Sequence, residues 1–389
     1  MKYNFDEIVD RSNTSCIKWD YVKEFLGEDN LLPMWVADMD FKTPDFIIKA
    51  VKERANHEIF GYSMRPQGYY QSIVDWVRNR HSWEIEKDWI VFSPGVVPAL
   101  NMAVLAFTQP GDEIIVQPPV YFPFFTAVTD HNRKLIYNQL KLENGHYTIN
   151  FDDLKRKITS QTKMIILSNP HNPVGRAWTE GELKELAEIC VKNKILILSD
   201  EIHSDLVFKP HRHNVLANLS DEIADNTLTM MAPSKTFNLA GMSTSSVIIS
   251  NPELRKTFKA TLDKLHLGLG NIFGAVASEA AYTNGNDWLD QMLDYVKGNV
   301  DYVDEFLKSH LPQVKMVQPE ATYMVWLDFR KLKLSRKELN ELILQKAKLG
   351  LNDGEVFGPG GEGFHRMNLA CPRSYVETAM NQLKAAVVH

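Results

Sequence analysis

The chain has 389 residues, 44% apolar and 24% charged, with a formal net charge of −6. That length suits two or three domains of ordinary globular composition. An acidic balance with no basic patch argues against nucleic acid as a partner, and leaves a small molecule or another protein.

The opening "MKYNFDEIVDRSNTSC" has no apolar core of the kind a secretory signal needs. Runs such as "KMIILS" and "KILILS" are too short to span a bilayer, so no membrane contact is expected. Cys16, Cys190 and Cys371 are widely spaced and form neither a disulfide framework nor a zinc pattern. A cytoplasmic, reducing location fits them.

The first chemical signal along the chain is "FSPGVVPALNMAVLAF". It reads as a helix starting after Gly95, where the N–H groups of Val96 and Val97 are free to bind phosphate. A plain Gly-Pro helix entry is the alternative. Short Ile- and Val-rich runs follow at 113–117, 164–168, 195–199, 227–232 and 246–250. Continuous apolar runs of this length suit strands buried on both faces, as in a parallel sheet. Between two of them, Thr179 and Glu182 predict a capping box. Leu183, Leu186, Ala187, Cys190 and Val191 then mark one helical face, which makes Cys190 a core residue.

Three strand ends carry polar signals. "SNPHNPVGR" places Asn172 in a rigid turn; turn chemistry explains its prolines but not the repeated Asn. "LSDEIHSDL" puts Asp200 at the carboxyl end of a strand, where α/β sheets bind ligands; an N-cap is its plain alternative. "TLTMMAPSKTFNLAGMSTSSVIIS" holds a single charge, Lys235, beside Ser234. A lysine in apolar surroundings has a lowered pKa and acts as nucleophile or base. The alternative is a lysine whose head reaches water.

Beyond these lie a long helix over 287–311 stopped by Pro312, a strand in "ATYMVWLDF", a helix in "SRKELNELILQKAKL", a loop "GPGGEGF" and a strand in "HRMNLACP". A last helix, "SYVETAMNQLKAAVV", would be capped by Ser374 and Glu377. The expected fold is α/β: a large domain over 50–287 with a mostly parallel seven-stranded sheet covered by helices. A smaller α+β domain would join 1–49 to 288–389.

The helix start at Gly95, the aromatic "PPVYFPF" with Tyr121, Asn172, Asp200 and Lys235 each follow a strand. Together they suit a ligand with a phosphate, a flat ring, a basic ring nitrogen and an aldehyde. Pyridoxal 5′-phosphate (PLP) has all four, and a Lys with a carboxylate for the ring nitrogen is its usual pairing.

At this point the sequence resembles the fold-type I PLP enzymes of the class I/II aminotransferase superfamily. The motifs are "NPHNPVG", "SDEIHSDL", "SKTFNLAG" and "HRMNLACPR", in the family's order over nearly the whole chain. "LPMWVADMDF", "SDEIHSDL" and "ACPR" resemble the MalY/PatB-type C–S lyases, or cystathionine β-lyases.

The resemblance implies that Lys235 bonds the cofactor and moves the substrate Cα proton. Asp200 would pair with the ring nitrogen, Asn172 would donate to the ring 3-oxygen, and Tyr121 would stack on the ring. Val96, Val97 and Ser234 would hold the phosphate, and Arg366 the substrate carboxylate. Tyr62 would reach the phosphate of a neighbouring subunit in a homodimer with interfacial sites. Two positions depart from the aminotransferase pattern: His203 stands in place of a Tyr near the ring oxygen, and Ser243 in place of an Arg.

The branch implies α,β-elimination from L-cystathionine, L-cysteine or related S-substituted cysteines, giving a thiol, pyruvate and ammonia. An aminotransferase of aromatic or aliphatic amino acids remains the alternative. So does a PLP-fold protein with an added regulatory protein partner.

Overall fold

A computed structural model of the protein describes residues 3–388; Met1, Lys2 and His389, at the outer ends of the expected small domain, lie outside the described residues. Seven strands form the main sheet: β1 (Ile90–Ser93), β2 (Glu113–Val116), β3 (Lys134–Tyr137), β4 (Thr162–Ser168), β5 (Leu196–Asp200), β6 (Thr227–Met231) and β7 (Ser245–Ile248). Their order is β1-β7-β6-β5-β4-β2-β3. Neighbours pair in parallel from β6 to β3.

Strand β7 is the exception, antiparallel to both β1 and β6. Its continuous apolar run carried no sign of direction. The reason lies in the connection. A parallel return needs a crossover of a dozen or more residues, usually a helix. Residues 232–244 offer only short helical turns and turn straight back.

The uninterrupted apolar runs are explained by burial on both faces. Ile166 and Leu198 belong to the cluster beneath helix Val96–Phe107. Ile165 and Ile197 belong to the opposite cluster, with Leu183, Leu186 and Cys190 of helix Glu180–Lys192. Each such leucine or isoleucine contributes roughly 1.5–3 kcal/mol when fully buried. The Thr179–Glu182 capping box is present, with both reciprocal bonds. Cys190 is a core residue, its thiol pushed up to about 12 by burial.

A second sheet is built from β8 (Lys315–Val317), β9 (Met324–Asp328), β10 (Asn352–Asp353) and β11 (Phe364–Asn368), in the order β8-β9-β11-β10. The long helix runs Asn286–His310. The helix expected in "SRKELNELILQKAKL" starts at Arg336 behind a Ser335–Glu338 capping box. It widens to a π-helix at Glu341–Lys346.

The last helix corrects the capping expected at Ser374 and Glu377. It spans Arg373–Val388, so Ser374 is already inside it. Its start follows Pro372, and a distant side chain takes the cap's place: the Arg373 N–H donates to Tyr295 Oη at 2.7 Å. Among the described residues no helix is long and apolar enough to cross a membrane.

Candidate active site

The carboxyl ends of β4, β5 and β6 lie side by side, with Ser168 paired to Asp200 and Asp200 to Met230. The turns that follow carry Asn172, Asp200 and Lys235 to one edge of the sheet. There they line a cavity of about 180 Å³ with Val96, Val97, Tyr121, His203 and Ser234. Ser243 and Thr244, just before β7, close the same wall.

Helix Val96–Phe107 begins at this wall. Its N-cap, Gly95, offers no side chain to the first N–H groups. Such groups form a ready anion site, and Ser234 lies beside them.

Lys235 sits inside the protein yet is open to the cavity. Its Nζ donates to the Ala37 carbonyl at 2.8 Å, a neutral acceptor that leaves the charge uncompensated. Burial, then the charge of Arg366, pulls its pKa down to about 8, against the charges of Asp38 and Asp200. Asp200 is buried, and the one described hydrogen bond to its carboxylate comes from the Ile202 N–H at 3.1 Å. Burial pushes its carboxyl up to about 7, against the Ile202 bond and the charge of Lys235.

Arg366 on β11 is buried and meets only neutral oxygens. NH1 donates to Asn172 Oδ1 at 3.0 Å, and NH2 to the Trp35 carbonyl at 2.9 Å and Asn352 Oδ1 at 2.7 Å. Its Nε has no protein partner. Burial lowers its pKa to about 10. Because a guanidinium only donates, Asn172 must turn its oxygen to Arg366. Its NH₂ is then left for the cavity.

His203 is likewise buried, and its Nδ1 is unpartnered. Burial, then Lys235 and Arg366, lowers its pKa to about 3, so the ring is neutral. The Tyr121 hydroxyl is raised by burial, with Arg366 and Asp200 near enough to act on it.

Tyr62 is the one candidate set apart. It is 98% exposed, in the irregular segment between helices Asp45–Ala55 and Gln67–His81, and takes no part in this cavity. Several groups at the site gave no local signal. The Ala37 carbonyl, Asn352 and Tyr323, whose hydroxyl donates to the same carbonyl at 3.2 Å, lie in segments brought here only by the fold. "LPMWVADMDF" marked the first of these segments, but as a motif without an assigned role.

These groups match one ligand closely. An uncapped helix start suits a phosphate, an uncompensated carboxylate a ring nitrogen, and a neutral-leaning amine an aldehyde. The residues present fit PLP, and fold and site together define a PLP-dependent protein of fold type I. Comparison with known proteins places it further. The chain belongs to the class I and II aminotransferase family, which matches residues 30–383.

Within that family the chain is 45% identical to the cystathionine beta-lyase PatB of Bacillus subtilis, covering 99% of this chain and 100% of the relative. It is similar in structure to cystalysin from Treponema denticola, which contains PLP: TM-score 0.97, 37% identity, 100% of this chain and 99% of the other. A PLP-bound C–S lyase from Staphylococcus hominis matches with TM-score 0.93 and 35% identity, again over 100% and 99%.

Proposed function

We propose that this protein is a PLP-dependent C–S β-lyase. It cleaves L-cystathionine, and L-cysteine or related S-substituted cysteines, to a thiol, pyruvate and ammonia. The observation that carries this reading is a set of charges in and beside one cavity that form no ion pair within the fold: Lys235 on a neutral carbonyl, Asp200 on a backbone N–H, and Arg366, bonded to the cavity-lining Asn172, on neutral oxygens. The full-length likeness to PatB and to two C–S lyases supports elimination over transamination.

When bound, PLP supplies an electron sink for the pair left at the substrate Cα. The protein's own groups do the rest. Arg366 holds the substrate carboxylate through charge-assisted bonds that the present neutral oxygens only approximate. Asn172, its amide oriented by Arg366, would donate to the ring oxygen, with neutral His203 near it. Tyr121 would cover the ring face. Val96, Val97 and Ser234 would hold the phosphate.

Lys235 Nζ, whose neutral form is brought within reach by a pKa lowered to about 8, takes the proton from Cα. The Cβ–S bond then breaks with its electron pair going to sulfur, and a Cα–Cβ double bond forms. A thiolate leaves readily because its conjugate acid has a pKa of about 8.5. Water hydrolyses the remaining enamine to pyruvate and ammonia.

The division into 50–287 and 1–49 with 288–389 belongs to this reading. It is supported by the main sheet lying wholly within 90–248 and the second sheet within 315–368. A homodimer is part of it too. Ile59, Phe60, Tyr62 and Met64 are strongly exposed, and Arg65 ties their segment to the Gly268 and Leu269 carbonyls. Leu265, Leu267 and Leu269 are also exposed there. An apolar area of this kind marks an association surface, and it would carry Tyr62 to a neighbour's phosphate. Three free cysteines fit a cytoplasmic setting.

The test is to supply L-cystathionine without any keto acid and follow pyruvate. Sustained release is expected. Turnover only after a keto acid is added would replace the lyase with an aminotransferase.

A further inference from the structure

Lys235 sits in a helix of only four residues, Pro233–Thr236. A single turn fixes several dihedrals for about one hydrogen bond and does not hold itself in place. Its aim must come from the groups that tie it down.

Two ties follow the lysine. Asn238 accepts from the Met39 N–H at 2.9 Å and donates to the Met39 and Phe41 carbonyls. Next to the lysine itself, Thr236 Oγ1 donates to Asp205 Oδ2 at 2.7 Å. Asp205 lies in the buried turn after β5 and is itself firmly fixed. Its Oδ1 accepts from Trp76 Nε1 at 3.0 Å and His81 Nε2 at 2.9 Å, both on helix Gln67–His81. Burial alone would raise this carboxyl. The bonds from His81 and Thr236 and the charge of Arg80 hold it below the ordinary carboxylate value. An ionised acceptor makes stronger bonds than a neutral one, so the Thr236 tie is a firm one. Neither Asp205, Trp76 nor His81 lines the cofactor cavity.

We propose that Asp205, acting through Thr236, is a positioning residue that fixes the turn aiming Lys235 Nζ into the cavity. This rests on Lys235 being the lysine that bonds the cofactor. The carboxylate touches no substrate; it acts by joining the end of β5, the helix Gln67–His81 and the lysine turn into one rigid unit.

The test uses Thr236→Val, which keeps the branched shape and removes the hydroxyl, and Thr236→Ser, which restores the hydroxyl. Two rates are read. One is the rate at which the apoenzyme bonds PLP, followed by visible absorbance and fixed with borohydride. The other is kcat for L-cystathionine, measured with KM and Tm.

A small misplacement of a reacting group lowers rates by up to about a hundredfold. Both rates should therefore fall roughly tenfold to a hundredfold in Thr236→Val, with KM and Tm little changed, and recover in Thr236→Ser. Wild-type rates in Thr236→Val would overturn the proposal. So would a loss that follows Tm and is not restored by serine. Lys235→Ala separates the two readings. If it still forms the reducible bond, the assignment of Lys235 itself fails. If it does not, and Thr236→Val behaves as wild type, only the positioning role is lost.

Discussion

The molecule handles buried cations in two opposite ways. Near the N-terminus, Lys18 is 1% exposed, and its Nζ meets Asp40 Oδ2 at 2.6 Å. Asp40 also accepts from Arg11 at 2.8 Å and Trp19 Nε1 at 2.9 Å. Arg176 is similarly buried and paired with Glu182 and Glu320, both at 2.8 Å. Lys235 and Arg366 meet only neutral oxygens. Burial therefore does not mark a functional cation here, since Lys18 is the more deeply buried lysine. The mark is a missing counter-charge. A structural ion is neutralised within the fold; a functional one keeps its place open for a ligand.

The strongest way to break that contrast is to remove each lysine. Lys235→Ala should abolish pyruvate release from L-cystathionine, a loss of at least 10²–10⁴-fold, with the folded state preserved. Lys18→Met should do the reverse. It leaves the Asp40 carboxylate under-compensated and lowers stability by about 3 kcal/mol, as read by urea unfolding. The rate per folded molecule should hardly change. If Lys18→Met were the inactive variant and Lys235→Ala the unstable one, the distinction would be reversed.

Asp200 extends the comparison to anions. Asp205, five residues on, has three side-chain donors within the fold, whereas the Asp200 carboxylate has only the Ile202 N–H. Asp200→Asn should lower kcat by on the order of a hundredfold or more. Measured against Lys235→Ala, the fall should be the smaller of the two.

Much of this was legible in the sequence because it is local. The strand-end positions of Asn172, Asp200 and Lys235 follow from short apolar runs and the turns after them. Lys235 also stood out as the single charge in its stretch. The contrast itself was not legible. Lys18 in "SCIKWDYV" lies between Ile17 and Trp19, with Asp20 close by in sequence, and gives no sign that Asp40 will neutralise it. Nor could sequence show that Asn352 rather than a carboxylate faces Arg366, or that Thr236 is anchored to Asp205. Each depends on residues from different elements meeting across the fold. The direction of β7 was hidden too, because its apolar run has no polarity of its own.

Asn352 allows a milder test. Asn352→Asp places a carboxylate where a neutral oxygen now accepts from Arg366 at 2.7 Å. It converts an open cation into one like Arg176. A hydrogen bond to a charged group contributes about 1.5–3 kcal/mol, so KM for L-cystathionine should rise about tenfold to a hundredfold. The change in kcat should be smaller. An unchanged KM would mean that Arg366 is not the carboxylate's anchor.

The smallest effect concerns pH, and it sharpens the contrast without altering a contact. Bonding an aldehyde requires a neutral amine. The Lys235 pKa is lowered to about 8, so its neutral form gains as pH rises and dominates above that value. An unperturbed lysine, at about 10.4, would still be gaining well above pH 9. The rate at which the apoenzyme bonds PLP should therefore rise with pH and level off soon after 8.

Asp200, raised to about 7, becomes ionised over the lower part of the same climb. Its negative charge is the form that accepts a protonated ring nitrogen. The two changes act in the same direction, so the profile should be steepest below pH 7. Asp200→Asn should flatten that lower limb and leave the upper one in place. Mapping the borohydride-reduced product should find the label on Lys235 and not on Lys18, whose amine is already held by Asp40. A rate still climbing past pH 10 would show that the cavity leaves Lys235 an ordinary amine, and the missing counter-charge would then carry no chemical consequence.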